Sequence, residues 1–442
     1  MKITFIMPSV GRKLKQKKYL KTWLMEPLAI AQLASLTPSH VDVEFFDDRL
    51  ELIDYENNDA DLIAINIETY TARRAYEIAR KFKEKGKKII MGGFHATLNH
   101  EEVLEHVDSV LIGEAENIWK DIIKDFEDGN LKKIYKAEQR PKLDGLSPDR
   151  SIYKGKEYLK LGLIEAGRGC YFSCNFCSVT NFYKHSYTAR PVEDIIKEVK
   201  ELNYRYYFFV NDNICADFDY AKKLFKALIP LKIKWISQAS INISKDKELL
   251  RLMKESGCIG VLIGFESLSK SSLEDMGKPA INKISTYEKA IDDIYEYGIG
   301  IYATFVFGYT EKDEYYFEKT YEFARRNKFL LVAFNHLVPF PGTPLYKKLE
   351  KEGRLLYKKW WLEPHFRFGD VAFRPQHMSP EKLSFLCHVY RKKFYSFSSF
   401  WYRFFNFKTS FRSLGSMYVF FLVNIISKMD VRKRKGLPLG KK

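Results

Sequence analysis

The sequence predicts an α/β protein in which two parallel sheets are followed by a mainly helical region. Apolar runs of strand length alternate with segments of helical period, first between residues 1 and 135 and again between 158 and 335. From about residue 346 the chain becomes aromatic and basic instead. The 442 residues are enough for two or three domains, and we predict their boundaries at 1–140, 141–345 and 346–442.

The first domain is predicted to be doubly wound. Pro27–Ser35 and Ala72–Phe82 carry apolar residues at spacings of three and four, which predicts helices between the strands. In such a sheet, ligands bind at the carboxyl ends of the strands, near the point where the strand order reverses. The predicted strands are Lys2–Met7, Val41–Phe46, Leu62–Asn66, Lys88–Met91 and Ser109–Ile112.

The second domain contains six more strand candidates, separated by polar segments of helical period. This alternation predicts a second parallel sheet, with its reactive polar residues at the carboxyl ends of the strands. The candidates are Tyr158–Ile164, Tyr206–Val210, Lys234–Ser237, Gly260–Gly264, Ile299–Phe307 and Leu330–Asn335.

Three of the six cysteines, Cys170, Cys174 and Cys177, fall within eight positions. This spacing indicates a metal site, because three thiolates on one loop can hold three irons of a [4Fe-4S] cluster and leave the fourth iron open. Two alternatives compete, namely a zinc site that recruits His185 and cysteines that only pack. An extended apolar run before the loop and the aromatic Phe176 within it favour the cluster.

This spacing, with its aromatic residue, resembles the signature of the radical S-adenosylmethionine (SAM) superfamily. The resemblance implies a partial barrel of six βα units, in which the open iron chelates SAM and one electron cleaves it to a 5′-deoxyadenosyl radical. Glu266 directly follows a buried strand, where a carboxylate packs poorly but can accept hydrogen bonds from two ribose hydroxyls. The polar run 211–213 is also typical of a turn or helix cap. The SAM contacts implied by the resemblance are Phe176, Asp212, Asn213, Gln238, Ser240 and Glu266.

The first domain resembles the cobalamin-binding domain found ahead of such barrels. The resemblance covers about residues 1 to 345, and it implies a cobalamin-dependent enzyme of the class B methylase type, similar to lipid-modifying members such as the hopanoid methylases. Its glycines would let the backbone approach the ligand. The segments that carry it are Met25–Ala31, Asp47–Arg49, Asp61–Ile67, Gly92–Thr97 and Gly113–Asn117.

One departure from other cobalamin proteins concerns the histidine beneath the cobalt. The sequence has no Asp-x-His-x-x-Gly loop, and the resemblance implies that the cofactor is bound without one. A degenerate domain that keeps the fold without the cofactor remains an alternative, and an isolated His95 is more often structural than a ligand. The implied cobalamin contacts are Pro8, Thr69, Gly92, Gly93, His95, Thr97, Gly113 and Glu114.

The other cysteines, Cys215, Cys258 and Cys387, are widely separated and are predicted to pack in apolar surroundings. An oxygen-sensitive cluster and the lack of a recognisable secretory signal at the amino terminus indicate a reducing cytoplasm. No cysteine precedes Cys170, which disfavours the methylthiotransferase branch of the superfamily.

The carboxyl-terminal region predicts contact with a membrane surface. Arg391–Lys408 mixes aromatic and basic residues, and Met417–Ser427 is strongly apolar but shorter than the roughly 20 residues of a span. With a net charge of +17, we expect a helix lying on the anionic inner face of the cell membrane. Two alternatives are aromatics packed in the core and a tRNA-modifying enzyme that grips single-stranded RNA. No recognisable RNA-binding module is attached, so nucleic acid is disfavoured.

Together these features predict an enzyme that abstracts hydrogen from an unactivated carbon of a lipid or other hydrophobic small molecule. Methylcobalamin would then supply a methyl group to that carbon. The expected cofactors are a [4Fe-4S] cluster, SAM and cobalamin, and the expected partner is an electron donor such as flavodoxin or ferredoxin. Radical cyclisation, carbon–carbon coupling or desaturation without methylation, and a redox-sensing cluster protein, are the alternatives.

Overall fold

The first sheet has six parallel strands: β1 (Lys2–Met7), β2 (Asp42–Asp47), β3 (Leu62–Asn66), β4 (Lys88–Gly92), β5 (Ser109–Ile112) and β6 (Ile134–Lys136). The computed structural model describes residues 1–11, 24–278 and 281–440. All five predicted strands are confirmed, whereas β6 is too short to produce a pattern in the sequence. The strand order is β2-β1-β3-β4-β5-β6, which reverses between β1 and β3 as in a doubly wound fold.

Helices cover both faces of this sheet, which explains why its strands are apolar almost throughout. They are α1 (Leu28–Leu36), α2 (Ala72–Glu84), α3 (Phe94–Leu98), α4 (His100–Leu104) and α5 (Trp119–Glu127). On one face, Ile78 and Phe82 of α2 pack with Ile63 of β3. On the other face, Ile30 of α1 and Trp119 of α5 share a second apolar cluster.

The second sheet also has six parallel strands. They lie side by side in the order in which they occur along the chain, and a separate hairpin is inserted between the first and the second of them. The strands that follow the first domain are β7 (Gly162–Ile164), β8 (Gly167–Gly169), β9 (Tyr187–Ala189), β10 (Tyr206–Phe209), β11 (Lys234–Ala239), β12 (Cys258–Glu266), β13 (Gly300–Phe307) and β14 (Leu331–His336). The order β14-β13-β12-β11-β10-β7 is that of an incomplete βα barrel, and all six predicted strands are confirmed.

The helix α6 (Ser178–Phe182) follows the cysteine loop. The helices after β9 are α7 (Val192–Leu202), α8 (Phe218–Leu228), α9 (Lys247–Glu255), α10 (Lys270–Asp275), α11 (Tyr287–Glu296) and α12 (Tyr315–Arg326). The strands β8 and β9 form a separate antiparallel hairpin around the cysteine loop. The hairpin was not predicted from the sequence. It requires Gly169, whose φ is +93° and where a Cβ would lie 2.1 Å from the Ser186 carbonyl oxygen.

The segment after the barrel returns to the first domain. Trp360, Trp361 and Phe366 are buried in the same apolar cluster as Ile63, and Leu439 joins them from the carboxyl-terminal end. The backbone nitrogen of Gly440 donates to the Val10 carbonyl oxygen at 2.8 Å. The core of the first domain therefore includes residues from the third predicted segment, and the boundaries given above remain predictions.

The last helices are α13 (Pro344–Lys351), α14 (Pro380–Phe394), α15 (Phe397–Phe404) and α16 (Leu414–Arg434). The 21-residue α16 is longer than the apolar stretch seen in the sequence, and among the described helices it is the one whose length and composition match a membrane span. The aromatics of this region divide between two environments. Phe394, Tyr395 and Phe404 are buried, whereas Trp401 and Phe407 are exposed.

Candidate active site

The cysteine loop connects β8 to α6. Cys170 directly follows β8, Cys174 is buried, and Cys177 caps the amino-terminal end of α6. The Cys177 nitrogen donates to the Cys174 carbonyl oxygen at 3.2 Å, and the Asn181 side chain donates to the Cys177 carbonyl oxygen at 2.8 Å. Hydrogen bonds within the loop and to the start of α6 therefore hold the backbone that carries the thiols.

Asn175 ties the loop to the barrel. Its backbone nitrogen donates to the Met276 carbonyl oxygen at 3.1 Å, and its own carbonyl oxygen accepts from the Leu345 nitrogen at 3.0 Å. The Tyr309 hydroxyl donates to its side-chain oxygen at 2.9 Å. Because these partners are far away in the sequence, nothing in the cysteine motif itself could reveal this anchoring role.

The three thiols fit a cluster rather than a single ion. Burial raises the pKa of Cys174 to about 11, and burial also raises the pKa of Cys170, so ligation must overcome the cost of forming these thiolates. In the described ranges, no three His, Cys, Asp or Glu side chains are grouped closely enough to hold one metal ion. Three thiolates on one loop are the donor set of a [4Fe-4S] cluster with one open iron, whereas a structural zinc site needs a fourth protein ligand. His185, the ligand required by the zinc alternative, is exposed.

Glu266 lies at the end of β12 in a strained conformation. Its φ is +63°, and the pairing with β13 shifts register there. The carboxylate folds back over Gly264, where a Cβ would lie 2.1 Å from its Oε1. Asn282 holds this bend by donating to the Gly264 and Phe265 carbonyl oxygens at 2.8 and 3.0 Å. Strain that is held in place by surrounding contacts is typical of functional sites.

Lys278 pairs with this carboxylate at 2.6 Å, and its Nζ lies 5.8 Å from the ring centroid of Phe176. Burial works against the charge of Lys278, but Glu266 and the nearby thiols raise the pKa of the ammonium group. Lys278 was not predicted as a site residue, because a lysine twelve residues beyond the strand carries no signal for a contact of this kind.

The other predicted SAM contacts divide into two groups. Asp212 accepts from the Gly169 nitrogen at 2.9 Å, and burial raises the pKa of its carboxyl group. Asn213 instead accepts from the Cys215 nitrogen at 3.2 Å. This local hydrogen bond is the kind expected if the polar run 211–213 forms a turn. Gln238 and Ser240 are half-buried at the end of β11, where the Ser240 hydroxyl donates to Asn242. Phe176, Asp212 and Glu266 therefore lie around the cysteine loop, while Asn213 and Ser240 are hydrogen-bonded locally.

A cavity of about 360 Å³ separates the first sheet from the cysteine hairpin. Both domains line it, and Phe94 of the first stacks on Phe182 of the second with ring centroids 4.4 Å apart. Gly93 and Gly113 have φ of +106° and +91°, and a Cβ on Gly93 would lie 2.3 Å from the Asn66 side-chain oxygen. The predicted contacts that line the cavity are Gly92, Gly93, Gly113 and Glu114 from the first domain and Asp212 from the second.

The remaining predicted cobalamin contacts, Pro8, Thr69, His95 and Thr97, are not among the residues that line this cavity. His95 is fully buried, with Nδ1 3.1 Å from the Thr69 hydroxyl and Nε2 3.3 Å from Glu102. Burial opposes ionisation of Glu102, but hydrogen bonds from His95 and Trp361 lower its pKa to about 2. Thr97 accepts from the Gly113 nitrogen at 2.9 Å and so supports the loop from behind.

Two arginines that were not predicted as site residues form ion pairs beside the interdomain cavity. Arg168 contacts Glu114, Glu116 and Glu165 at 3.2, 2.6 and 2.8 Å. Arg140 also pairs with Glu114, at 2.8 Å. These ion pairs join the last glycine loop of the first domain to the cysteine hairpin. The sequence offered a partial signal, because Arg168 lies only two residues before Cys170.

Comparisons with known proteins agree with this geometry. Residues 164–324 match the family model of the radical SAM superfamily. The chain is 29% identical over 407 residues to bacteriochlorophyllide d C-12(1)-methyltransferase of Chlorobaculum tepidum, covering 86% of this chain and 88% of that protein. It is 22% identical to hopanoid C-2 methylase of Rhodopseudomonas palustris, covering 75% of this chain and 66% of that protein.

A solved structure also shares the fold. It is the radical S-adenosylmethionine methyltransferase TsrM from Kitasatospora setae, with cobalamin and a [4Fe-4S] cluster bound. Its TM-score is 0.64 at 14% identity, over 86% of this chain and 84% of that one. The arrangement of a doubly wound domain followed by an incomplete barrel is therefore the same in both.

Proposed function

We propose that this chain, whose residues 164–324 match the radical SAM family model and whose fold resembles that of a radical SAM methyltransferase solved with cobalamin, is a cobalamin-dependent C-methyltransferase acting on a hydrophobic small molecule. The observation that carries this proposal is the 360 Å³ cavity between the two domains. Glycine loops line it on one side and the cysteine hairpin lines it on the other. A methyl donor and a radical source need such a shared space to act on one carbon.

The residues of the site fit the three cofactors. When bound, the cluster and SAM would supply a hydrogen-abstracting radical, and cobalamin would supply the methyl group. Cys170, Cys174 and Cys177 would hold the cluster. Glu266, oriented by Lys278, would accept hydrogen bonds from the ribose of SAM, and the corrin would lie against the backbone at Gly93 and Gly113, which line the interdomain cavity.

A hydrophobic substrate is supported by the names of the relatives, which describe methylation of a bacteriochlorophyllide and of a hopanoid. These two substrates share a large apolar body, and we extend that feature alone to the present protein. The electron for SAM cleavage would come from a small donor such as flavodoxin or ferredoxin in the cytoplasm.

The carboxyl-terminal helices support a contact with an anionic membrane surface. Phe397, Trp401 and Phe407 are exposed around α15, and Tyr418 and Ile425 are exposed along α16. Exposed cations accompany these side chains, including Lys408, Arg412, Lys428, Arg432 and Lys433. Apolar residues with adjacent positive charges are typical of helices that lie in the interface between lipid head groups and acyl chains. Such an attachment would bring the site to substrates dissolved in the membrane.

The test of the enzymatic proposal is anaerobic reconstitution with iron, sulfide, cobalamin and SAM, followed by measurement of two products. Methyl transfer through cobalt predicts S-adenosylhomocysteine together with 5′-deoxyadenosine. Formation of 5′-deoxyadenosine alone would favour cyclisation, coupling or desaturation. A protein that takes up no corrinoid under these conditions would exclude cobalamin-dependent methyl transfer.

A further inference from the structure

A second cavity, of about 330 Å³, lies beyond the cysteine loop at the carboxyl ends of β13 and β14. Phe176 of the loop contributes to its wall, so the cavity adjoins the segment between Cys174 and Cys177. Its other walls come from α14, from the end of α16 and, through Tyr70, from the first domain. The glycine loops do not line this cavity, so it is distinct from the interdomain cavity described above.

Most of its lining is apolar. Val306, Phe334, Leu337 and Phe340 form the inner wall, and Tyr70 packs edge-on against Phe340 with ring centroids 6.0 Å apart. A surface of this kind can hold the body of a hydrophobic molecule by excluding water. Apolar lining alone, however, would not explain the charges at the outer end.

Three cations and one carboxylate line the outer end: Arg391, Arg434 and Lys435 against Asp430. Asp430 pairs with Arg434 at 2.7 Å. No carboxylate oxygen in the described part of the chain lies within 4.0 Å of Arg391 or Lys435. The cavity therefore carries an excess of positive charge beside an apolar wall.

Arg391 is fixed in position but incompletely hydrogen-bonded. Its Nη2 donates to the Phe334 carbonyl oxygen at 2.9 Å and to the side chain of Asn335, both at the end of β14. Its Nε is buried and has no hydrogen-bond partner. Because Nη2 already serves two acceptors, the N–H groups of Nη1 are the ones left to bind an oxyanion in the cavity.

Two imidazoles complete the polar end of the cavity. Burial, with Lys435, Lys392 and Arg391 nearby, lowers the pKa of His388 to about 4. Burial also lowers the pKa of His336, despite a backbone hydrogen bond that favours its charged form. Both rings are therefore neutral near pH 7, and they add hydrogen-bonding groups without adding charge.

We propose that this cavity binds the substrate and recognises an acidic oxyanion group on it, with Arg391 as the principal contact, Lys435 at the mouth and the apolar wall around the rest of the molecule. This inference rests on the proposed function, because it assigns the substrate class of the same enzyme. An anion held at Arg391 directs the opposite end of the molecule towards Phe176 and the cysteine loop. The carbon to be methylated is thus selected by its distance from the acidic group.

The test is a binding measurement that needs neither cluster nor turnover. Pyrenebutyrate serves as a fluorescent probe, and its methyl ester has the same apolar body without the charge. Wild-type protein is expected to bind the acid at least about tenfold more tightly than the ester, the range expected for a hydrogen bond to a charged group. Equal affinity for the two probes would overturn the proposal.

The variants Arg391→Met and Lys382→Met form a matched pair, since Lys382 is exposed on the same helix outside the cavity lining. Arg391→Met should weaken binding of the acid about tenfold and leave the ester unchanged, whereas Lys382→Met should change neither. Unchanged acid binding in Arg391→Met would overturn the proposal. Lys435→Met, at an exposed site, gives a second test if Arg391→Met unfolds, and it should weaken acid binding several-fold.

Competition with dodecanoate, dodecyl phosphate and dodecanol distinguishes the acidic groups. Stronger competition by the carboxylate or by the phosphate identifies which oxyanion is recognised, and equal competition by the alcohol contradicts the proposal. These results are independent of SAM cleavage. Failure to form 5′-deoxyadenosine would reject the proposed reaction and leave the binding result intact, while loss of anion selectivity would leave the radical chemistry intact.

Discussion

Lys278 provides the positive charge that pairs with the carboxylate of Glu266. It is paired with Glu266 and close to the Phe176 ring, and its ammonium group remains charged in spite of burial. Replacing it with Met should leave the carboxylate unpaired and misdirected. We expect Lys278→Met to raise the KM for SAM about tenfold or more while the protein keeps its iron, because the energy of a charged hydrogen bond is lost. Lys270→Met, at an exposed site on α10, is the control.

Single cysteine substitutions test which thiols hold the cluster. Cys174→Ala should remove the cluster and abolish 5′-deoxyadenosine formation, since the cysteine loop has no fourth thiol to replace the one deleted. Cys215→Ala removes a thiol that is also buried but lies outside the loop, and it should retain full iron content. Iron and sulfide analysis with 5′-deoxyadenosine assays gives the answer. Normal iron in Cys174→Ala would show that the cluster is held elsewhere.

Among the structural elements, the loop after β5 should control corrinoid binding. Gly113 and Gly129 both have positive φ, +91° and +73°, but only Gly113 lines the interdomain cavity. Alanine at either position should cost about 1 kcal/mol of stability through backbone strain. At Gly113 the new Cβ would also lie 3.1 Å from the Cβ of Ala137, so the loop that lines the cavity must shift. Only Gly113→Ala should weaken cobalamin uptake, which absorbance after anaerobic loading and desalting measures. Equal uptake by the two variants would place the corrin away from this loop.

Features formed by residues close together in the sequence could be predicted, whereas features that depend on contacts between distant residues could not. Eleven strands could be predicted because each is a continuous apolar run, and the cysteine spacing indicated the cluster because its ligands are local. The hairpin β8–β9 has only three residues on each side, and Asn175 and Arg168 act through partners from other parts of the chain. His95 was an implied cobalamin contact although an isolated histidine is more often structural, and tertiary packing buries it against Glu102. Such long-range contacts have no periodicity to detect.

At the scale of the whole molecule, membrane attachment is testable with vesicles. Basic residues near an anionic surface contribute about 1 kcal/mol each, and this attraction is screened by salt, whereas inserted aromatics resist it. We expect sedimentation with anionic vesicles that falls but persists as salt rises. Serine at Phe397, Phe407, Leu414 and Tyr418 should largely abolish it, because these side chains are at least 63% exposed and their loss spares the core.

The control for this experiment changes Leu52 and Tyr315 to serine, since both are equally exposed elsewhere on the surface. Phe404 is unsuitable as a target, because it is buried among Phe411, Phe420 and Phe421. If wild-type protein does not sediment with the vesicles at low salt, the exposed aromatics serve another purpose and the substrate must reach the enzyme from solution.

The return of the chain to the first domain imposes an order on biosynthesis. Leu439 is buried with Ile6 in one cluster, and Gly11 forms a bridge with Gly440 at a point where a Cβ on Gly11 would lie 1.9 Å from the Pro438 carbonyl oxygen. The ribosome makes Ile6 long before Leu439. A nascent chain that ends at residue 140 would leave the surface beneath Trp360 and Trp361 open to water. The core of the first domain is therefore complete only after residue 439 has been synthesised, and a truncation that removes Leu439 would destabilise the domain that was made first.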